Sequence, residues 1–140
     1  MSASPSLSLG APSARILIVD DEPDNCELLQ IVLNWEGFTT QIAATGQQAL
    51  ACAAEQLPDL VVLDLMMPDL DGYQVTLALK QNPRTRHIPI MILSAMTDHV
   101  TRQRVLNAGA EAFISKPIDR AELNQLVRGI LGLDPGCDAS

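Results

Sequence analysis

An unbroken apolar run, Leu60 to Leu63, ends abruptly on Asp64 and is followed by Pro68 and an Asp71-Gly72 turn; no other stretch constrains this chain as much. Short apolar runs with β-branched residues, bounded by turn signals, read as strands buried on both faces of a parallel sheet. Asp64 then stands at a carboxyl end. In open α/β sheets that edge carries the ligand crevice, because strand ends and the loops after them surround it. An acid at a strand end can equally do no more than face water, so the other strands decide what Asp64 means.

The same pattern recurs along the chain. Arg15 to Val19 (RILIV) runs into Asp20-Asp21-Glu22, Ile88 to Leu93 (IPIMIL) into Ser94, and Ala112 to Ser115 into Lys116-Pro117; Phe38 to Ala43 is a further strand. Helical patterns lie between them. The first follows Pro23, with Asp24 and Asn25 as capping candidates, Leu28, Ile31, Val32 and Trp35 at helical spacing, and Gly37 as a stop. Thr45 and Gln48 have capping-box spacing ahead of Ala49, Leu50 and Ala53. Asp71 with Gln74 caps a helix carrying Val75 and Leu79, which ends before Asn82-Pro83. A fourth helix runs from about Asp98 to Asn107 and closes on Gly109. The last has Asp119 and Glu122 at cap spacing and Leu123, Leu126, Val127, Ile130 and Leu131 on one face. Five strands alternating with five helices predict an α/β fold: a single doubly wound (βα)5 domain with both sheet faces covered. It occupies 15–132, between a flexible Ser- and Pro-rich leader, 1–14, and a polar tail, 133–140.

Composition narrows the function classes. The net charge of −8 argues against electrostatic binding to nucleic acid. That charge is uneven, with eleven acids against Arg15 alone through Asp71, and six acids against eight Lys or Arg afterwards. No run reaches the roughly 20 apolar residues of a membrane span, and the N-terminus has no secretory pattern. Cys26, Cys52 and Cys137 are an odd number without metal-ligand spacing, which fits a reducing cytoplasm. His87 and His99 are expected to face solvent, and no GxxxxGK[ST] or GxGxxG loop is present.

In a parallel sheet the polar strand ends share one edge, so Asp20, Asp21, Asp64, Ser94 and Lys116 can converge. Three carboxylates in one pocket repel. A hard divalent ion such as Mg²⁺ relieves that repulsion through oxygen ligands. Such an ion, a lysine and a hydroxyl beside a carboxylate suit a phosphoryl group, with the carboxylate as nucleophile.

With these motifs in order, the Asp20-Asp21 pair, Asp64 within DLMMPDLDG, Ser94-Ala95 and Lys116-Pro117, the chain resembles the receiver domains of two-component response regulators from about Arg15 to Leu131. The resemblance implies a flavodoxin-like, CheY-like sheet of order 2-1-3-4-5, with Asp64 as the phosphoacceptor. It further implies that Asp20, Asp21, Asp64 and the Met66 backbone carbonyl hold Mg²⁺, that Ser94 and Lys116 contact the phosphoryl oxygens, and that Ser94 and Phe113 are switch residues. The Lys116-Pro117 bond would be cis. The implied role is signalling and not enzymatic. The partners would be a sensor histidine kinase or histidine phosphotransfer protein and a downstream protein target, with a homodimer also open. Direct nucleic-acid and membrane contacts are not expected. Met66 and Met96, flanking the site, would cover it without orienting a water, so phosphate loss would be slow. Two alternatives stay open: a degenerate receiver that only binds a partner, and a haloacid dehalogenase-like phosphohydrolase, which wants an acid where this chain has Met66. After Leu131 there is no room for an output domain, so the chain is read as a stand-alone regulator, a relay intermediate or a fragment of a longer one.

Overall fold

The computed structural model describes residues 14–67, 71–95 and 98–132. Its strands are β1 (Arg15–Val19), β2 (Thr39–Ala43), β3 (Leu60–Asp64), β4 (Ile90–Ser94) and β5 (Ala112–Ser115); its helices are α1 (Pro23–Trp35), α2 (Gly46–Gln56), α3 (Gly72–Gln81), α4 (His99–Ala108) and α5 (Arg120–Ile130). All pairings are parallel and the order is β2-β1-β3-β4-β5, the order the resemblance implies. β3 and β4 are buried along their whole length, as continuous apolar runs require. The fourth strand starts at Ile90, two residues after the apolar run begins, because Pro89 has no N–H to give to a ladder.

Side chains alternate along each strand, which divides the core into two layers. Leu17, Val19, Val61, Leu63, Ile92 and Phe113 pack beneath α2, α3 and α4. Ile16, Ile18, Leu60, Val62, Leu93 and Ile114 pack beneath α1 and α5. Asp20 and Asp64 continue the second set in phase, and so does Lys116. Their side chains are therefore directed to the same face at the same end of the sheet.

The helix caps follow the sequence closely with one exception. Thr45, Asp71, Asp98 and Asp119 each accept backbone N–H groups at the starts of α2, α3, α4 and α5, each cap worth about 1 kcal/mol. α1 instead begins at Pro23, with Glu22 as an N-cap that makes no side-chain hydrogen bond, so neither Asp24 nor Asn25 caps it. Pro23 is the reason: its fixed φ and missing N–H suit the first helical position. The apolar row of α1 is also corrected. Cys26, Leu29 and Leu33 face the core, while Leu28, Ile31 and Trp35 point outward. The Lys116-Pro117 bond is cis. Among the described residues, no helix is long and apolar enough to cross a membrane.

Candidate functional site: an acid cluster with a lysine at the carboxyl edge

β1 and β3 are neighbours in the sheet, and the chain leaves them toward opposite sides, which opens a crevice between their carboxyl ends. Asp20 and Asp64 sit there, both buried, with Asp21 exposed at the mouth. One carboxylate oxygen from each lies within 4.8 Å of the others. Lys116, delivered by the end of β5, places Nζ 3.4 Å from Asp64 Oδ1 and 3.8 Å from Asp20 Oδ2. Its backbone N–H donates to the Ser94 carbonyl at 2.8 Å, tying the lysine to the end of β4.

One lysine does not satisfy three acids. Asp20 Oδ1 accepts the Glu22 N–H at 2.9 Å, but Asp20 Oδ2 is buried without a hydrogen bond, and Lys116 is too distant to make one. Leaving a buried carboxylate oxygen unpaired costs of the order of 1–3 kcal/mol. A cation with oxygen ligands would complete Asp20, so the donor set fits a hard divalent ion.

Burial pushes the Asp64 carboxyl above its usual pKa, and the charge of Asp20 pushes the same way; Lys116 and the Met66 N–H, at 3.3 Å from Asp64 Oδ1, only partly oppose this. The folded-state pKa thus exceeds the unfolded one. Asp64 therefore favours the fold below the unfolded pKa of about 3.9, and that contribution is lost as pH rises through the folded value. In metal-free protein at pH 7, Asp64→Asn is expected to be more stable than wild type by about 1 to 2 kcal/mol. The gap should close near pH 4. Urea unfolding in chelator at both pH values checks this, and a gap of equal size at both would rule out the titration as its cause.

Ser94 is buried at the end of β4, in register with Ser115 of β5. Phe113 shares the layer beneath α4, with the Arg102 guanidinium 5.6 Å from its ring centroid. Met66 is exposed in the loop after β3, whereas Met96 lies outside the described residues. His87 and His99 are exposed, as expected.

Two residues that the sequence reading named, but gave no part in the site, belong to it. Cys26 donates its thiol to the Asp20 carbonyl at 3.3 Å, and burial, then the charges of Asp20, Asp21 and Asp64, raise its pKa. It is thus held as a neutral thiol that braces Asp20. The signal available was its place in the first turn of α1, just after the acids. Gly72 is the second. A Cβ there would lie 2.8 Å from Leu65 Cα and 2.9 Å from the Asp64 carbonyl oxygen, so only glycine lets α3 start against the Asp64 loop. Its N–H donates to the Leu65 carbonyl at 2.8 Å.

This arrangement has known relatives, and a family model described as the response regulator receiver domain matches residues 16–128. The chain belongs to that family. The receiver is 44% identical over 118 residues to Response regulator PleD of Caulobacter vibrioides (strain NA1000 / CB15N), a match covering 84% of this chain and 26% of that protein. It is 43% identical over 117 residues to the DNA-binding response regulator MtrA of Mycolicibacterium smegmatis, covering 84% of this chain and 50% of that one. The chain therefore spans between a quarter and a half of the length of these curated relatives. Its fold matches a putative response regulator from Chloroflexus aurantiacus J-10-fl with a TM-score of 0.83 at 34% identity, covering 86% of this chain and 99% of the other. It also matches the receiver domain of sensor histidine kinase PA1611 from Pseudomonas aeruginosa PAO1, with a TM-score of 0.80 at 31% identity and the same two coverages; that structure has a magnesium ion coordinated in its active-site cleft. The receiver is a CheY-like domain of two-component, phosphorylation-based signalling.

Proposed function

We propose that this receiver accepts a phosphoryl group on Asp64 from the phosphohistidine of a sensor histidine kinase or histidine phosphotransfer protein, in a Mg²⁺-dependent reaction, and signals to a downstream protein through its altered surface. The observation that carries this reading is the buried Asp64 carboxylate, with Lys116 at 3.4 Å and Asp20 and Asp21 in the same cluster. In the step, an Asp64 carboxylate oxygen forms a bond to phosphorus as the phosphorus–nitrogen bond breaks, and the imidazole nitrogen keeps the electron pair. Little further chemistry is required, so positioning and charge neutralisation do most of the work. Lys116 would neutralise a phosphoryl oxygen, and the Ser94 hydroxyl would donate to another. Asp20, Asp21, Asp64 and the Met66 carbonyl would hold Mg²⁺, which supplies further neutralisation of the phosphoryl oxygens when bound. Ser94 and Phe113 would carry the change from the site toward α4 and β5.

The chain would act as an acceptor and signalling domain and not as an enzyme with a released product. Its acidic charge and the odd cysteines fit a cytoplasmic protein whose partners are proteins and not nucleic acid. The receiver unit would be 15–132, with 1–14 as a leader and 133–140 as a tail. The direct test is incubation with a small acyl phosphodonor and Mg²⁺, which should add one acid-stable, base-labile phosphoryl group; no addition under any metal condition would refute the reading.

Loss of that group should be slow. Hydrolysis needs a water held in line with the phosphorus–oxygen bond, and methionine at positions 66 and 96 has only a weakly accepting sulfur with which to hold one. Combining Met66→Asn with Met96→Glu is expected to speed decay by about tenfold or more, since a positioned polar group commonly contributes at least that much. A decay rate unchanged in the double variant would show that the methionines have no such role.

A further inference from the structure

We infer that the outer edge of β2 pairs with itself: a second copy of this chain adds its own β2 antiparallel, with the twofold axis at Gln41, and the two five-stranded sheets become one. This inference stands independently of the phosphoryl chemistry. β2 ends the sheet, and β1 is its one strand neighbour among the described residues. The Thr39 N–H donates to the Ala14 carbonyl at 2.9 Å, and the Ala43 carbonyl accepts the Asp20 N–H at 3.2 Å. The polar backbone groups of Thr39, Gln41 and Ala43 therefore turn to β1. Those of Thr40 and Ile42, which alternate with them, turn outward.

An open strand edge is a template for another strand, and it is ordinarily blunted by charge, proline, a bulge or a cover. β2 has none of these. Its sequence is TTQIA in unbroken register with β1, Thr39 and Gln41 are exposed, and Ile42 remains 37% exposed. The Thr40 hydroxyl accepts from Gln30 Nε2 and donates to Asn34 Oδ1, which holds that side chain against α1 and clear of the edge. The opposite edge differs. β5 is four residues long, lies between Glu111 and Lys116-Pro117, and buries Phe113 and Ile114.

Self-complementarity selects the occupant. With the axis at Gln41, Thr40 of each copy stands opposite Ile42 of the other. Facing residues of an antiparallel pair exchange both N–H to carbonyl bonds when their polar groups point at each other. The two outward residues of each strand thus find all their partners in the same two residues of the second copy. Gln41 meets its own equivalent at the axis, and a carboxamide both donates and accepts, so two identical ones can pair there. This is an isologous contact, which a foreign strand would not reproduce at Gln41. Charge agrees. The chain carries −8 and repels its copies over most of its surface, but β2 has no charged residue. Antiparallel order also sets the two acid clusters at opposite ends of the joint edge, where parallel order would set them side by side. Size sets the strength: a five-residue strand is about 17 Å long, so the pair falls short of the roughly 1,200 Å² at which stable interfaces begin. The dimer is therefore weak and concentration-dependent.

The experiment is sedimentation of the full chain from micromolar to near-millimolar concentration, with amide hydrogen exchange read residue by residue on the same samples. The mass should rise toward a dimer. The Thr40 and Ile42 amides should exchange fast at the lowest concentration and become protected as the dimer forms, while those of Thr39 and Gln41 stay protected throughout. Gln41→Lys and Gln41→Glu, at an exposed position, should each keep the thermal midpoint and weaken association by about tenfold or more, since each sets like charges opposite one another. Mixed in equal amounts, the two variants should recover most of that loss, because residue 41 then meets its opposite charge. A wild type that stays monomeric throughout overturns the inference, including the case where Thr40 and Ile42 are protected at every concentration. So does a dimer in which those two amides still exchange fast. Variants that each dimerise as the wild type does, or a mixture of them that stays monomeric, overturn it as well.

Discussion

The Asp64→Asn variant should take up no phosphoryl group under conditions in which the wild-type receiver takes up one. The carboxamide has nearly the same shape but lacks the anionic oxygen that must form the bond to phosphorus. The loss should therefore be complete, and it should occur in a protein that is folded and, without metal, more stable than wild type, since a buried charge above its usual pKa has been removed. These two results separate chemistry from folding. Intact-mass measurement after exposure to an acyl phosphodonor, with base treatment to cleave an acyl phosphate, provides the readout. Labelling of equal extent in the variant would move the phosphoacceptor elsewhere. Labelling that resists base would contradict an acyl phosphate altogether.

Magnesium should raise the stability of the wild type strongly and that of Asp21→Asn weakly. Asp20 Oδ2 is buried without a hydrogen bond, and among the described residues Lys116 is the one cation within ion-pairing distance of Asp20 and Asp64. A cation bound by the fold and not by the unfolded chain stabilises by mass action, by about 2.7 kcal/mol at a hundredfold excess over Kd, or of the order of 10 °C in Tm for a domain of this size. Asp21 is exposed, so its replacement by Asn removes a ligand without opening a cavity. Thermal melts across a magnesium titration should show the wild-type midpoint rising and saturating, with at least a tenfold higher concentration needed in the variant if one carboxylate ligand contributes in the range of a charge-assisted bond. Two identical titrations would mean that the cation binds elsewhere.

These outcomes bear on both alternatives to the phosphoacceptor reading. A receiver that only bound partners would have no use for a buried Asp20 with an unpaired oxygen beside Lys116, and it would fail the labelling test. A haloacid dehalogenase-like reading needs an acid two residues after Asp64. The structure has Met66 there, exposed, with only its backbone N–H turned to Asp64 Oδ1.

Much of the fold could be read from the chain alone, because the signals are local. Apolar runs ended by acids mark β1 and β3, side-chain caps at Thr45, Asp71 and Asp119 mark three helix starts to the residue, and the start of α4, read as about Asp98, is capped by that residue. A cap satisfies donors within its own turn, so its sequence signature survives any tertiary arrangement. Asp20, Asp21, Asp64, Ser94 and Lys116 were nameable for a similar reason, since each stands at or just past a strand end and parallel strands place such ends on one edge, whereas Met66 and Phe113 came only from the family resemblance. What a one-dimensional reading could not supply is which of them touch. Asp20, Asp64 and Lys116 meet because their strands share a pleat phase, a consequence of register between segments far apart in the chain.

Helix α1 shows where the boundary lies. Its sequence has two apolar rows, Leu28-Ile31-Trp35 and Cys26-Leu29-Leu33, and helical periodicity fits either. The inward row is chosen only when α1 packs on the sheet, where Leu29 and Leu33 fit among Ile18, Val62 and Phe38 and the Cys26 thiol finds the Asp20 carbonyl. Local sequence thus determined that a helix forms here, through backbone hydrogen bonds within the segment. Only tertiary packing decided which row is core, which remains at the surface, and that the thiol beside the acids is a brace, because those depend on neighbours that the chain brings in from elsewhere.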